Sequence, residues 1–299
     1  MKMAEVALER VLRERYRKPT SLWQDALRRL LRNKLAVVGM VILAAFLLSA
    51  IFAPWLAPYD PVKQELVKRR QPPCREHLLG LDEVGRDILS RIIFGARTSL
   101  QVGVGSVSFA IVIGALTGAI SGYLGGWVDN LVMRLMDILL AFPSMLLAIA
   151  IVSILGPGLM NMLYAIAIVS IPQYARIVRA SVLSVKEQDY ILAARAIGCP
   201  PTHILFRNVL PNCLTPLIVQ ATLGIATAIL DAAGLSFLGL GAQPPTPEWG
   251  AMLGRGRGSV FTAPHIVFFP GLAIMLTVLG FNLLGDGLRD ALDVRLRVD

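Results

Sequence analysis

Of the residue types that usually do chemistry, few in this 299-residue chain are arranged to do it. Cys74, Cys199 and Cys213 are scattered, with no CxxC pair, so no zinc knuckle or disulfide framework is indicated. His77, His203 and His265 lie far apart, and HExxH is absent. None of the six lysines follows a glycine, which rules out a GxxxxGK[ST] phosphate loop. If ATP is used, another chain binds it. Two features remain. Asp231 is an acid inside a long apolar stretch, where a carboxylate costs several kcal/mol unless paired or hydrated and marks a functional path by default. Between residues 176 and 212, Gly198, Pro200-Pro201 and Pro211 punctuate a helical pattern at fixed intervals.

The elements that must carry these residues follow from composition. The chain is 55% hydrophobic and only 16% charged, against about 25% charged in ordinary soluble domains. Residues 35–59, 98–128, 138–175, 208–230 and 258–285 contain no Asp, Glu, Lys or Arg. Roughly 20 helical residues cross the hydrocarbon core of a bilayer, so an all-α, polytopic membrane protein is expected. The first span is Leu35 to about Trp55, too long for a signal-peptide core of about 7–15 residues and therefore an uncleaved anchor. The second, about Leu100 to Tyr123, is rich in small residues that let helices approach closely. The 38 uncharged residues 138–175 would make one helix of about 57 Å, so two antiparallel spans joined at Gly156-Pro157-Gly158 are predicted. A fifth span begins near Pro211 or Cys213 and ends near Phe237; a sixth covers about Ile266 to Gly285.

Six transmembrane helices put both termini on one side. Lys and Arg number ten in the tail 1–34, one in 123–137, five in 176–212 and three in the C-terminal tail. The opposite side holds eight in 56–99 and two in 238–265. This excess predicts cytoplasmic termini, and it accounts for the net charge of +9 by membrane orientation rather than nucleic acid. Within the tail, Ser21 to Arg32 reads as an amphipathic interfacial helix, capped by Ser21 and lying on lipid. The alternative is a partner-docking helix.

The loop 176–212 is long for a helix bundle. A helix is predicted from Ser181 to Gly198, with Ala180, Leu183, Ile191, Ala194 and Ile197 on one face. Gly198 suits a left-handed C-cap and Pro200-Pro201 forbids continuation. Thr202 caps a second short helix, His203 to about Leu210, ended by Pro211.

This arrangement resembles the cytoplasmic signature loop of bacterial ABC importer permeases: Glu-Ala-Ala, three residues, Gly, nine residues, then Ile-x-Leu-Pro. Ala193-Ala194, Gly198 and Leu210-Pro211 fall at that spacing, while Leu192 replaces the Glu and Asn208 the Ile. The resemblance extends through His77 to Gly80, Gly85 to Arg91, Gly95 to Leu100 and Met136 to Pro143 to the peptide and nickel branch of the family. Ile229 to Ala233, Phe237 to Gly250 and Phe281 to Asp290 are most similar to its C-type dipeptide permeases. It implies a type I importer permease fold and no enzyme activity. Residues 1–34 would form a cytoplasmic tail, 35–57 the first helix and 58–96 an extracytoplasmic loop. A five-helix domain, 97–287, would follow, with a cytoplasmic tail at 288–299. Implied partners are a homologous B-type permease, two ABC ATPase subunits that hold ATP and Mg, and an extracytoplasmic peptide-binding protein. No cofactor or metal belongs to this chain itself.

On that resemblance, Ala193, Ala194, Gly198, His203, Ile204, Leu205, Phe206, Arg207, Leu210 and Pro211 couple the permease to its ATPases. Ile204, Leu205 and Phe206 would be the apolar anchor, His203 and Arg207 the polar rim, and Pro211 the rigid exit. The alternative is a helix that merely lies on lipid. Asp231 would hold a peptide's amino terminus in transit, or pair with an arginine of a partner subunit. Arg86, Asp87 and Arg91 would touch the binding protein or brace the outer loop internally. Arg134 and Asp137 are expected to pair at i, i+3, and Pro143, Pro172 and Pro270 to kink their spans. Dipeptides, longer peptides, nickel complexes and glutathione are all carried by this architecture. An ion-coupled secondary transporter is the rival class, but it would show inverted repeats and several midplane acids.

Overall fold

The structure, a computed structural model, describes residues 22–292. Ser21, expected as a cap, lies outside them. Helix α1 (Leu22–Arg32) leads through Asn33 into α2 (Lys34–Ile51). The Asn33 side chain accepts from the backbone N–H groups of Leu35 and Ala36, which restarts the helix after a break. A helical turn at Ala53–Leu56 ends α2 and opens the segment 57–87.

Helix α3 runs from Ile88 to Leu124, starting twelve residues before the expected second span. Its first turns carry Arg91 and Arg97, which read as loop in the sequence. The Asp87 carboxylate caps it, accepting from Ser90 N and Ser90 Oγ at 2.8 Å each. Helix α4 (Gly126–Leu140) and helix α5 (Ser144–Leu155) meet at an angle of 91° across Ala141-Phe142-Pro143. Pro143 has no N–H to continue α4, and its own ψ of 126° is non-helical, so the expected kink is a full break. The turn at Gly156 to Gly158 stands where it was expected, and α6 (Leu159–Val185) follows with Pro172 inside it.

Next come α7 (Asp189–Ala196) and an elbow of irregular helix, Pro201–Cys213, which passes directly into α8 (Leu214–Phe237). A short α9 (Trp249–Gly256) precedes α10 (His265–Leu292), which contains Pro270. No strand occurs among the described residues.

The most extensive packing is α3 against α6, followed by α2 and α8 against α10. Gly118 makes the first contact possible: a Cβ there would meet the Ala175 carbonyl oxygen at 2.2 Å. Small residues allow this approach where lipid gives helices no hydrophobic reason to associate.

The described residues cross the bundle six times, five times as unbroken helices and once as the bent pair α4–α5. Gly122 and the start of α4 lie by the end of α6, as Arg179 binds Asp129 and Lys186 reaches the Gly122 carbonyl. The end of α5 lies at the other pole, where Gly158 N donates to Leu240 O. The bent pair α4–α5 therefore connects the two poles and is a broken span, the sixth beside five unbroken ones.

Candidate functional site

The elbow between α6 and α8 is built from a helix stop followed by an irregular winding. Residue Gly198 has φ +82°, and the N–H groups of Gly198 and Cys199 donate to Arg195 O and Ala194 O. That is a complete Schellman stop, and it depends on a residue at ease in the left-handed region. Pro200 and Pro201 then set the chain off on a new axis. From Ile204 to Val209 the winding is that of a π-helix, and Leu210–Cys213 forms a 3-10 turn. Pro211 does not end the helix, as the sequence suggested. It sits in the first turn of the 3-10 segment, where its missing N–H is harmless. The Asn212 side chain donates to Asn208 O at 2.6 Å and also to the Tyr190 hydroxyl, tying the exit of the elbow to α7.

The π turn changes which side chains face inward. Ile204, Leu205 and Val209 are buried and join Ile191, Val182 and Val178 in the main core. Ile204 and Leu205, expected to face a partner, are thus turned the other way. A spacing of five places Ile204 and Val209 on one face of a π-helix, where a 3.6-residue period would separate them. Of Ile204, Leu205 and Phe206, expected as the apolar anchor, only Phe206 is exposed. Ile197, expected to share one helix face with Ile191, is 81% exposed, whereas Ile191 is buried. His203, Arg207, Ala193, Gly198 and Pro211 are also exposed; Ala194 and Leu210 are half-buried. The elbow therefore has an apolar base continuous with the bundle core and an outer rim of Ile197, Phe206, His203 and Arg207.

Three further contacts fix the base. Arg179 binds Asp129 through two hydrogen bonds of 2.5 Å each, and the Ser121 hydroxyl donates to the same carboxylate. Arg176 pairs with Asp137 at 2.5 Å, so the partner of Asp137 is on α6 and not the expected Arg134. The Arg195 guanidinium lies 5.8 Å from the Tyr123 ring centroid, joining α7 to the end of α3.

At the opposite pole, Arg86, Asp87 and Arg91 are buried and held by partners within the chain. Asp82 accepts Arg86 Nε at 2.7 Å, His77 Nδ1 lies 2.9 Å from Asp87, and Arg91 donates to Pro61 O at 2.8 Å. Nearby, Glu248 caps α9 by accepting from Gly250 N and Ala251 N, and from the Ser99 hydroxyl. Burial pushes its carboxyl up, and those hydrogen bonds pull it back. Trp249 beside it is fully buried and donates to Ile92 O.

Asp231 is half-buried on the open face of α8, with Thr227 one turn before it and Gly234 one turn after. Among the described residues its carboxylate has no hydrogen bond or ion pair. Close to the end of α8 lies a cavity of about 320 Å³, lined by Phe237, Leu238, Gln243, Arg255 and Arg257 among others. Sequence reading passed over it: the two arginines were counted only toward orientation, and their convergence with the end of α8 is tertiary.

The comparisons with known proteins agree with this architecture. The dipeptide transport system permease protein DppC of Alkalihalophilus pseudofirmus is 54% identical over 93% of this chain and 91% of its own length. The di/tripeptide transport system permease protein DppC of Pseudomonas aeruginosa is 52% identical over 89% of each chain. The glutathione transport system permease protein GsiD of Escherichia coli is 48% identical over 92% of this chain and 91% of its own. Among solved structures, a chain of the inward-facing MetNI methionine ABC transporter superposes with a TM-score of 0.55 at 21% identity. It covers 68% of this chain and 97% of that one, a likeness of fold alone. Residues 21–73 match the N-terminal TM domain of oligopeptide transport permease C. Residues 110–298, which carry α4 to α10 and the elbow, match the binding-protein-dependent transport system inner membrane component, and the chain belongs to that family.

Proposed function

We propose that this permease subunit of an ABC importer passes di- and oligopeptides, delivered by an extracytoplasmic binding protein, across the membrane. ATP is hydrolysed by two separate ABC ATPase subunits, and a homologous B-type permease completes the pathway. The elbow pole and both termini face the cytoplasm, in keeping with the Lys and Arg excess there. The observation that carries this reading is the elbow itself. Its rim presents Ile197, Phe206, His203 and Arg207, and its base is continuous with the core of α3, α6 and α8. A rim seated in an ATPase groove would transmit the ATPase movement as a rigid tilt of those spans. Ala193, Ala194 and Gly198 keep the stop compact, while Leu210 and Pro211 set the exit into α8.

Asp231, open and unpaired on α8, lines the translocation path in this reading. The relatives named for dipeptides and di/tripeptides favour peptide over glutathione. Uptake in cells lacking other peptide importers, expressing the chain with its partner subunits, tests this. Labelled dipeptide should accumulate with ATP and be displaced by excess unlabelled dipeptide. Accumulation of glutathione or nickel in its place would overturn the substrate assignment.

A further inference from the structure

The segment between α2 and α3 carries more positive charge than its own structure uses. Short outward segments of a membrane protein are ordinarily poor in Lys and Arg, yet residues 56–99 hold eight. Arg97 belongs to α3, and Arg86 and Arg91 are buried beside Asp82. Lys63 and Lys68 pair with Glu65 and Glu76. That leaves Arg69, Arg70 and Arg75. All three are exposed, and among the described residues their side chains make no hydrogen bond and no ion pair within 4 Å.

These arginines are fixed in place. Lys68 Nζ lies 3.6 Å from Glu76 Oε2, which brings residues 66–70 alongside 75–76. Arg70 N donates to Asp82 O at 2.9 Å and Leu81 N donates to Gln71 O at 3.0 Å, so the strip is pinned to the buried cluster of Asp82, Arg86 and Arg91. Arg70 has φ +59°, the one positive value outside glycine among the described residues. Glycine would sit there without strain. Strain kept at an exposed arginine points to a use for its side chain. Beside it, the 3-10 turn Leu66–Lys68 presents Leu66 at 63% exposure and Val67 at 100%. Exposed apolar residues among arginines are the make-up of a protein-binding patch, where Arg is enriched. A lipid contact at the bilayer surface favours Trp and Tyr, and the exposed Trp55 belongs to the end of α2 instead. Resting on the importer reading and the orientation above, we propose that Leu66, Val67, Arg69, Arg70 and Arg75 form this chain's footprint for an acidic face of the extracytoplasmic binding protein. Asp82, Arg86 and Arg91 are the foundation beneath it, and because Arg91 lies in the first turn of α3, docking bears directly on that span.

The complete transporter is reconstituted in nanodiscs of neutral lipid, and its ATPase is titrated with the dipeptide-loaded binding protein. Wild type is compared with Arg70→Gly, Val67→Ser and the triple variant Arg69→Gln/Arg70→Gly/Arg75→Gln. Arg70→Gly removes the side chain and the backbone strain together, so its thermal midpoint should not fall. It should nevertheless raise the concentration of binding protein needed for half-maximal stimulation by about threefold, and the triple variant by about tenfold, with basal ATPase unchanged. Added salt should raise that concentration for wild type and much less for the triple variant, because the attraction of exposed charges is screened. Val67→Ser should raise it without altering the salt dependence. A triple variant with the wild-type half-maximal concentration and salt dependence would overturn the footprint and leave the importer reading standing. A defect that appears only when anionic lipid is added to the nanodiscs would also overturn it, and would make the patch a lipid contact. A wild-type ATPase indifferent to the loaded binding protein would end both.

Discussion

At Gly198 the cost of a side chain is conformational. With φ at +82° and nothing within 4 Å of an added Cβ, Val would suffer backbone strain of about 1–2 kcal/mol but no collision. Asn tolerates the left-handed region, so Gly198→Asn should keep most uptake, whereas Gly198→Val should insert normally and transport poorly. Uptake and co-purified ATPase, measured at equal permease level, check this; wild-type values for the Val variant would remove the elbow from coupling. A second contrast lies within three residues. Ile204 is buried and Phe206 is exposed, so the two should fail in different ways. Ile204→Ala should lower the stability of the detergent-solubilised protein by about 2–5 kcal/mol. Phe206→Ala should leave its melting temperature unchanged and reduce ATPase docking. Melting and pull-down run on both variants decide between these roles.

Between elements, the closest approach of a helix glycine to a neighbouring helix's backbone is that of Gly118 on α3 to Ala175 on α6. Gly118→Val would drive a side chain into the Ala175 carbonyl, and overpacking of this kind costs about 1–3 kcal/mol or more. A lower thermal midpoint in detergent is expected, with transport lost only as folded protein is lost; an unchanged midpoint would mean the helices are free to separate. The long spans were legible in the sequence because length and absence of charge define them without any tertiary knowledge. The elbow was legible too, through Gly198 and its prolines, since a helix stop is a local event. What escaped depends on distant partners. The first turns of α3 looked like loop because they carry Arg91 and Arg97, and only burial of Arg91 against Pro61 and Asp82 makes them helix. Asp137 was given a neighbour three residues away, yet Arg176 on another helix reaches it. The inward turn of Ile204 and Leu205 follows from π winding, which a 3.6-residue period cannot express.

For the molecule as a whole, the sidedness of the bundle hangs on the bent pair. If α4 and α5 were a re-entrant hairpin, residues 125 and 157 would lie on one face of the membrane, five crossings would remain, and the two termini would be on opposite sides. The contacts argue otherwise: Asp129 is held by Arg179 at the elbow pole, while Gly158 is held by Leu240 at the other. A backbone opened by a 91° break within a membrane is tolerable only where protein or water satisfies it. Here the Ala141 N–H still reaches back to Asp137 O and Ile138 O, and the α4 side of the break is braced through Asp137 and Arg176. Reporter fusions after residues 75, 125, 157 and 190 should therefore divide into two pairs. Those after 75 and 157 are expected on the extracytoplasmic side, and those after 125 and 190 in the cytoplasm. Matching signals at 125 and 157 would turn the broken span into a re-entrant loop, and the elbow would then no longer share a face with the N-terminal tail.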